Sequence, residues 1–191
     1  MNRVETLKSI ADRCLELLPE DIYIVVRYRS GYPSMPMSIP FAKSVRVAGL
    51  KKLRSMGIED LGRGKARIVG KRRCLEALVT LWEHLFYVEI VDASHGLEQI
   101  VLDPTKARIL AELSEEYGKT VFSIDPSDPQ VLRYELAREI LRAGAALCLL
   151  AGKSCTQQFL EHLHLEIAIQ LLLQTKYREL IEKKALALPS S

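Results

Sequence analysis

The sequence predicts an α+β protein: a small antiparallel sheet with packed helices, followed by two long C-terminal helices forming an αα-hairpin. Three observations lead there. IYIVVRY and FYVEIV are short, β-branched and aromatic, as strands are. Apolar residues recur at helical spacing over residues 3–18 and 71–85. Beyond residue 128 the chain is almost continuously helix-forming and apolar on more than one face.

Val4, Leu7, Ile10, Ala11, Cys14, Leu17 and Leu18 place the first helix over 3–18, and Pro19 ends it. Ile22–Tyr28 reads as a strand whose alternation sets Ile24, Val26 and Tyr28 on one face and Tyr23, Val25 and Arg27 on the other. RSGYPSMPMSIP, with three prolines and a glycine, reads as a long loop. Phe41–Met56 reads as a helix with Gly57 after its end, and Ala66–Val69 as a short strand. Lys71–Leu85 is helical, with Leu75, Leu78, Val79, Trp82 and Leu85 on one face and Trp82 expected in the core. Phe86–Val91 and Gln99–Leu102 read as a hairpin across the turn DASHGLE. Asp103-Pro104 opens a helix that runs to Tyr117 and closes at Gly118, and TVFSI reads as a further strand. Asp128-Pro129 opens a helix to Ala151. The last helix runs from Cys155 to Lys184, with Leu160, Leu163, Ile167, Leu171, Tyr177 and Ile181 on one stripe and Leu165, Ile169, Leu172 and Leu173 on a second. Two apolar stripes call for a second covering surface, either another subunit or the core of one chain. Two regions follow: residues 1–127 as an α+β binding domain, and 128–191 as a helical oligomerisation region building a homodimer or tetramer.

Charge is distributed unevenly. Net charge is +3 over 191 residues, but residues 22–73 hold thirteen Lys and Arg against Glu59 and Asp60 alone, a net of +11. The remainder is net −8. A localised basic segment points to a polyanion, with nucleic acid the commonest, or to an acidic protein surface. Its densest part is GRGKARIVGKRR, with six cations and three glycines in twelve residues. Glycines 62, 64 and 70 suggest a flexible rim whose N–H groups meet phosphates. No apolar run reaches a membrane span, and MNRVETLKSIADR lacks the apolar core of a secretory leader, so a cytoplasmic location is expected. Cys14, Cys74, Cys148 and Cys155 show no paired spacing and read as buried thiols.

No catalytic pattern emerges. Gly152-Lys153-Ser154 resembles the end of a phosphate loop, but Leu147 stands where that loop needs glycine. His162 and His164 are two apart and point about 200° apart on a helix, so they cannot share a metal. No cofactor, metal or enzymatic activity is expected.

What remains is binding. Cations alternate with rings in YIVVRYRSGY, which suits single strands: Lys and Arg follow phosphates while aromatics stack on exposed bases. The candidate contact residues are Tyr23, Arg27, Tyr28, Arg29, Tyr32, Lys43, Arg46, Lys51, Lys52, Arg54, Arg63, Lys65, Arg67, Lys71, Arg72 and Arg73. The expected function is non-catalytic, sequence-tolerant binding of single-stranded DNA or RNA. The alternatives are a duplex-binding regulator that inserts the basic helix 41–56 in a groove, and a scaffold that docks an acidic protein.

The order of these parts resembles the ThermoDBP family, single-stranded DNA-binding proteins of heat-loving archaea, and their relatives. The matching parts are ETLKSIADRCLELL, IYIVVRYR with FYVEIV and TVFSI, GRGKARIVGKRR, and FLEHLHLEIAIQLLLQTKYRELIEKK. The resemblance implies strand binding in a basic and hydrophobic cleft without an OB-fold, and association through helices.

Overall fold

The computed structural model describes residues 2–30, 39–125, 134–154 and 163–187. It is α+β. In chain order the elements are α1 (Arg3–Glu16), β1 (Tyr23–Ser30), α2 (Ile39–Ser55), β2 (Glu59–Gly62), β3 (Lys65–Val69), α3 (Lys71–Glu83), β4 (Phe86–Ala93), α4 (Leu97–Val101), α5 (Pro104–Phe122), α6 (Tyr134–Ala151), a 3-10 turn at Gly152–Ser154, and α7 (Leu163–Ala187). The four strands form one sheet in the order β2-β3-β1-β4, each neighbouring pair antiparallel.

The sheet has two unlike faces. Ile24, Val26, Ala66, Ile68, Val88 and Ile90 are buried on the inner face, against which α3 packs with Cys74, Leu75, Leu78 and Trp82. Helices α1 and α6 pack on one another, and α6 also packs on α3 and α7. One hydrophobic core therefore spans both regions expected from the sequence, continuing from the sheet through Leu141 and Leu147 of α6 to Leu171 of α7. Leu165, Ile167, Ile169, Leu171, Leu172 and Leu173 are all buried within the single chain, so over this part both apolar stripes of α7 are covered without a second subunit. Leu160 and the side chains of Leu163, Tyr177 and Ile181 lie outside the described residues, as do Asp128-Pro129. Cys14, Cys74 and Cys148 are free and buried, and burial pushes the Cys14 and Cys74 thiols up to about 12. Cys155 lies outside the described residues.

Two expected strands are corrected, and one strand was not expected. Gln99–Leu102 is not a strand: it belongs to α4 and the residue after it, where the Gln99 and Ile100 N–H groups donate to the Gly96 carbonyl. Of its apolar residues only Ile100 is buried, and an apolar run this short does not distinguish helix from strand. TVFSI is not a strand either. Helix α5 passes Gly118 and continues to Phe122, because Leu113, Tyr117 and Val121 share one buried face at four-residue spacing. Strand β2, wholly exposed, had no hydrophobic alternation to reveal it.

Helix α2 docks on the end of α3 through a close approach. A methyl group added at Gly49 would lie 2.4 Å from the His84 Cβ and 2.7 Å from its Cγ. Neither atom is the free end of a flexible chain, and the His84 ring is held by its Nδ1–H donating to the Thr80 carbonyl at 2.6 Å. Gly49→Ala is therefore expected to cost about 1–3 kcal/mol by overpacking, despite alanine's higher helix propensity. Urea unfolding of the two proteins checks this; a stabilised variant would contradict it.

Candidate nucleic-acid interface

Among the described residues no other α-helix packs on the sheet as α3 does, and the register determines what the outer face displays. On β1, Tyr23, Val25, Arg27 and Arg29 alternate with the buried residues. Across β3, Val25 faces Arg67 and Arg27 faces Lys65. Across β4, Arg27 faces Glu89 and Arg29 faces Tyr87. Directly paired residues point to the same side, so these side chains form one surface.

Two contacts organise that surface. The Arg67 guanidinium lies 4.8 Å from the Tyr23 ring centroid, and the Arg29 guanidinium 4.7 Å from that of Tyr87. Both are cation–π distances. Tyr23 and Arg29 are six residues apart on one strand, so the two ring sites are separated by about 20 Å at roughly 3.3 Å per residue. Between them lie Arg27 and Lys65. Arg27 also approaches Glu89 at 3.6 Å, with both side chains about half exposed. Exposed Glu59 stands opposite Arg67 in the β2 register. The row is thus partly neutralised, while Arg63 and Lys65 make no ion pair among the described residues.

Arg63 sits at the tip of the β2–β3 hairpin with φ 55°, between Gly62 and Gly64, both also in the left-handed region. A side chain at Gly64 would strike the Tyr28 carbonyl oxygen at 2.7 Å. The Gly62 N–H donates to Asp60 at 2.8 Å, and the Gly70 N–H to the Ile22 carbonyl at 2.7 Å. The Gly62 and Gly70 N–H groups are thus engaged within the fold, where these glycines shape the hairpin and the entry to α3.

The sixteen candidates separate into distinct places. Tyr23, Arg27, Arg29, Lys65 and Arg67 share the outer face, with Arg63 at its hairpin end. Tyr28 points inward and meets Phe86 edge to face, with centroids 5.6 Å apart. Burial pushes its phenol pKa up, Asp60 adds to that, and Arg54 opposes it. Lys43, Arg46, Lys51, Lys52 and Arg54 lie on α2, which packs on α3 and so belongs to the helical side. There Lys52 approaches buried Glu83 at 3.6 Å. Lys71, Arg72 and Arg73 open α3 at the far end of β3 from Arg63. Lys71 is committed to structure: its ammonium donates to the Leu15 and Leu18 carbonyls at 2.8 and 3.3 Å and pairs with Glu20 at 3.0 Å. Arg72 and Arg73 are exposed. Tyr32 lies outside the described residues.

Tyr87 was missed. Its signal is the alternation of FYVEIV, which sets Tyr87, Glu89 and Val91 opposite Phe86, Val88 and Ile90. Among the described residues no cluster of three or more His, Cys, Asp or Glu is placed to hold a metal, and no helix is long and apolar enough to cross a membrane. The chain matches no protein-family model, and no curated protein or solved structure at a significant level.

Proposed function

We propose that this protein binds single-stranded DNA or RNA, without catalysis and with little sequence preference, by laying the strand along the outer face of β1. The observation that supports the reading is the pair of arginine-covered tyrosines about 20 Å apart, with Arg27 and Lys65 between them. Rings on an open sheet can stack on any base, and the intervening cations can follow the phosphates. A duplex hides its base faces and offers such rings nothing to stack on. The two ring sites and the cations between them all come from one chain, so the reading requires no second subunit.

Fluorescence anisotropy with a labelled strand of roughly 20 nucleotides, which exceeds a site of about 4–16, tests it against the matching duplex. The strand is expected to bind more tightly. With three or four phosphates met by Arg27, Arg29, Lys65 and Arg63, the log–log salt slope should lie near about −2 to −3, at roughly −0.7 per phosphate. Tighter duplex binding would favour a duplex reader. Failure of both forms to bind at low salt would leave the basic segment to a protein partner.

A further inference from the structure

Gly152-Lys153-Ser154 lacks the spacing of a phosphate loop, yet its position is distinctive. Gly152 has φ 64°, and a Cβ there would lie 2.6 Å from the His95 carbonyl oxygen and 2.8 Å from the Gly96 Cα. The end of α6 is thus pressed, backbone to backbone, on the loop that leaves β4. Beside this junction opens a cleft of about 630 Å³, bounded by the end of β4, α4 and the 3-10 turn. That volume falls in the range of about 300–1,000 Å³ typical of small-molecule sites.

The walls are largely apolar, from Ala93, Leu97, Val101, Leu102 and Ala151. The polar lining includes Asp92, Glu98, Gln99, Lys153 and Ser154. His95 also lines the cleft; burial, then the charge of Lys106, moves its pKa down, against a hydrogen bond to Gln99. Two carboxylates against one ammonium disfavour a phosphate inside. They favour a neutral planar ring that carries amino groups, with apolar walls for its faces and carboxylates for its N–H donors.

The cleft is continuous with the proposed strand track. Ser94, between the lining residues Ala93 and His95, is bonded to Tyr23: the Tyr23 N–H donates to Ser94 Oγ at 2.9 Å, and the Ser94 N–H to the Tyr23 carbonyl at 3.0 Å. Asp92 stands opposite Val25 on β1. A strand lying along β1 therefore reaches the cleft mouth as it passes Tyr23.

We propose that this cleft is a nucleobase site, which takes one unstacked base from a strand bound along β1. The proposal rests on the strand-binding reading. Base extraction of this kind replaces stacking in the strand by apolar walls and by hydrogen bonds to the edge of the base.

The test uses strands with 2-aminopurine at successive positions, a base whose emission is quenched by stacking. No Phe, Tyr or Trp lines the cleft among the described residues, so an extracted base should brighten several-fold at one position, while a base on Tyr23 stays dim. Val101→Trp and Ser154→Trp, both at exposed positions, should abolish the brightening and weaken strand binding about tenfold, a change of the size carried by one bound base. Free adenosine should remove the brightening at high concentration while the strand stays bound, which separates a base site from a general rearrangement of the strand. If strands bind but no position brightens, or if brightening survives both tryptophan variants, the cleft proposal fails and strand binding stands. If no strand binds, both readings fall together.

Discussion

Glu83→Ala is expected to destabilise the protein by about 3–5 kcal/mol, the cost of leaving partner charges uncompensated in a buried ion-pair network. Glu83 ends α3 and is 2% exposed. Arg138 Nη1 of α6 donates to its Oε2 at 2.8 Å, and the Tyr134 hydroxyl to the same oxygen at 3.3 Å. Lys52 of α2 lies 3.6 Å from Oε1, and Lys176 of α7 donates to the Glu83 main-chain carbonyl at 3.5 Å. One carboxylate thus faces cations from three other helices, while Glu76 shares Arg138 at 3.3 Å and Arg142 at 3.8 Å. Removing it leaves Lys52 and Lys176 without their nearest acid. Glu83→Gln keeps an acceptor for Arg138 but not the charge, and should fall between alanine and the natural residue. A shift in urea midpoint at constant slope reads the effect; a change below 1 kcal/mol for alanine would show that the network adds nothing net.

The same cluster gives the protein an acid limit. Burial raises the Glu83 pKa, but the charges of Lys176, Arg138, Lys52 and His84 outweigh it, and the carboxyl is held below its ordinary 4.5. A depressed carboxylate contributes stability that is present above its unfolded pKa and is lost as pH falls through the folded value. His84 is depressed below 6.5, by burial first and by Lys176 next, against its bond to Thr80 and the charge of Glu83. The unfolded chain then binds the proton that folded His84 resists, so stability declines as pH drops below about 6.5. Both groups act in the same direction. Melting temperature should fall from pH 6.5 downward, and Glu83→Gln should flatten the part below 4.5.

Much of the sheet could be read in advance because its residues obey a local rule. Alternation along IYIVVRY divided Ile24, Val26 and Tyr28 from Tyr23, Val25 and Arg27, and the fold keeps that division. Asp103 caps α5 through bonds to the Thr105 and Lys106 N–H groups, as an aspartate before proline suggests. Where no local rule operated, the reading went astray. The pairing of β2 is supplied by β3 across a hairpin, and no apolar residue of EDLG is buried to mark it. The basic segment looked like one surface because its charges are close in the chain, yet β3 alone carries Arg63 and Lys71 to opposite ends of the sheet. Tyr87 lay outside that segment and meets Arg29 only through strand pairing. The Glu83 network joins residues 55 and 93 positions away, a separation at which spacing has no meaning.

Replacing both Tyr23 and Tyr87 by alanine is expected to weaken single-strand binding by about 2–6 kcal/mol, since each stacked base contributes about 1–3. The ring sites are about 20 Å apart on the sheet, with Arg67 over one and Arg29 over the other. Sites so far apart should add, so the double variant should equal the sum of the singles within about 0.5 kcal/mol. Both rings lie on the outer face, half-buried, and their loss opens no cavity in the inner core. Each truncation also releases an arginine from its ring. A released guanidinium is free to meet phosphate, so the salt slope should hold or steepen while affinity falls. That pairing of weaker binding with an undiminished slope separates stacking from charge: if the tyrosines served only to position Arg67 and Arg29 for phosphates, their removal would lower affinity and slope together.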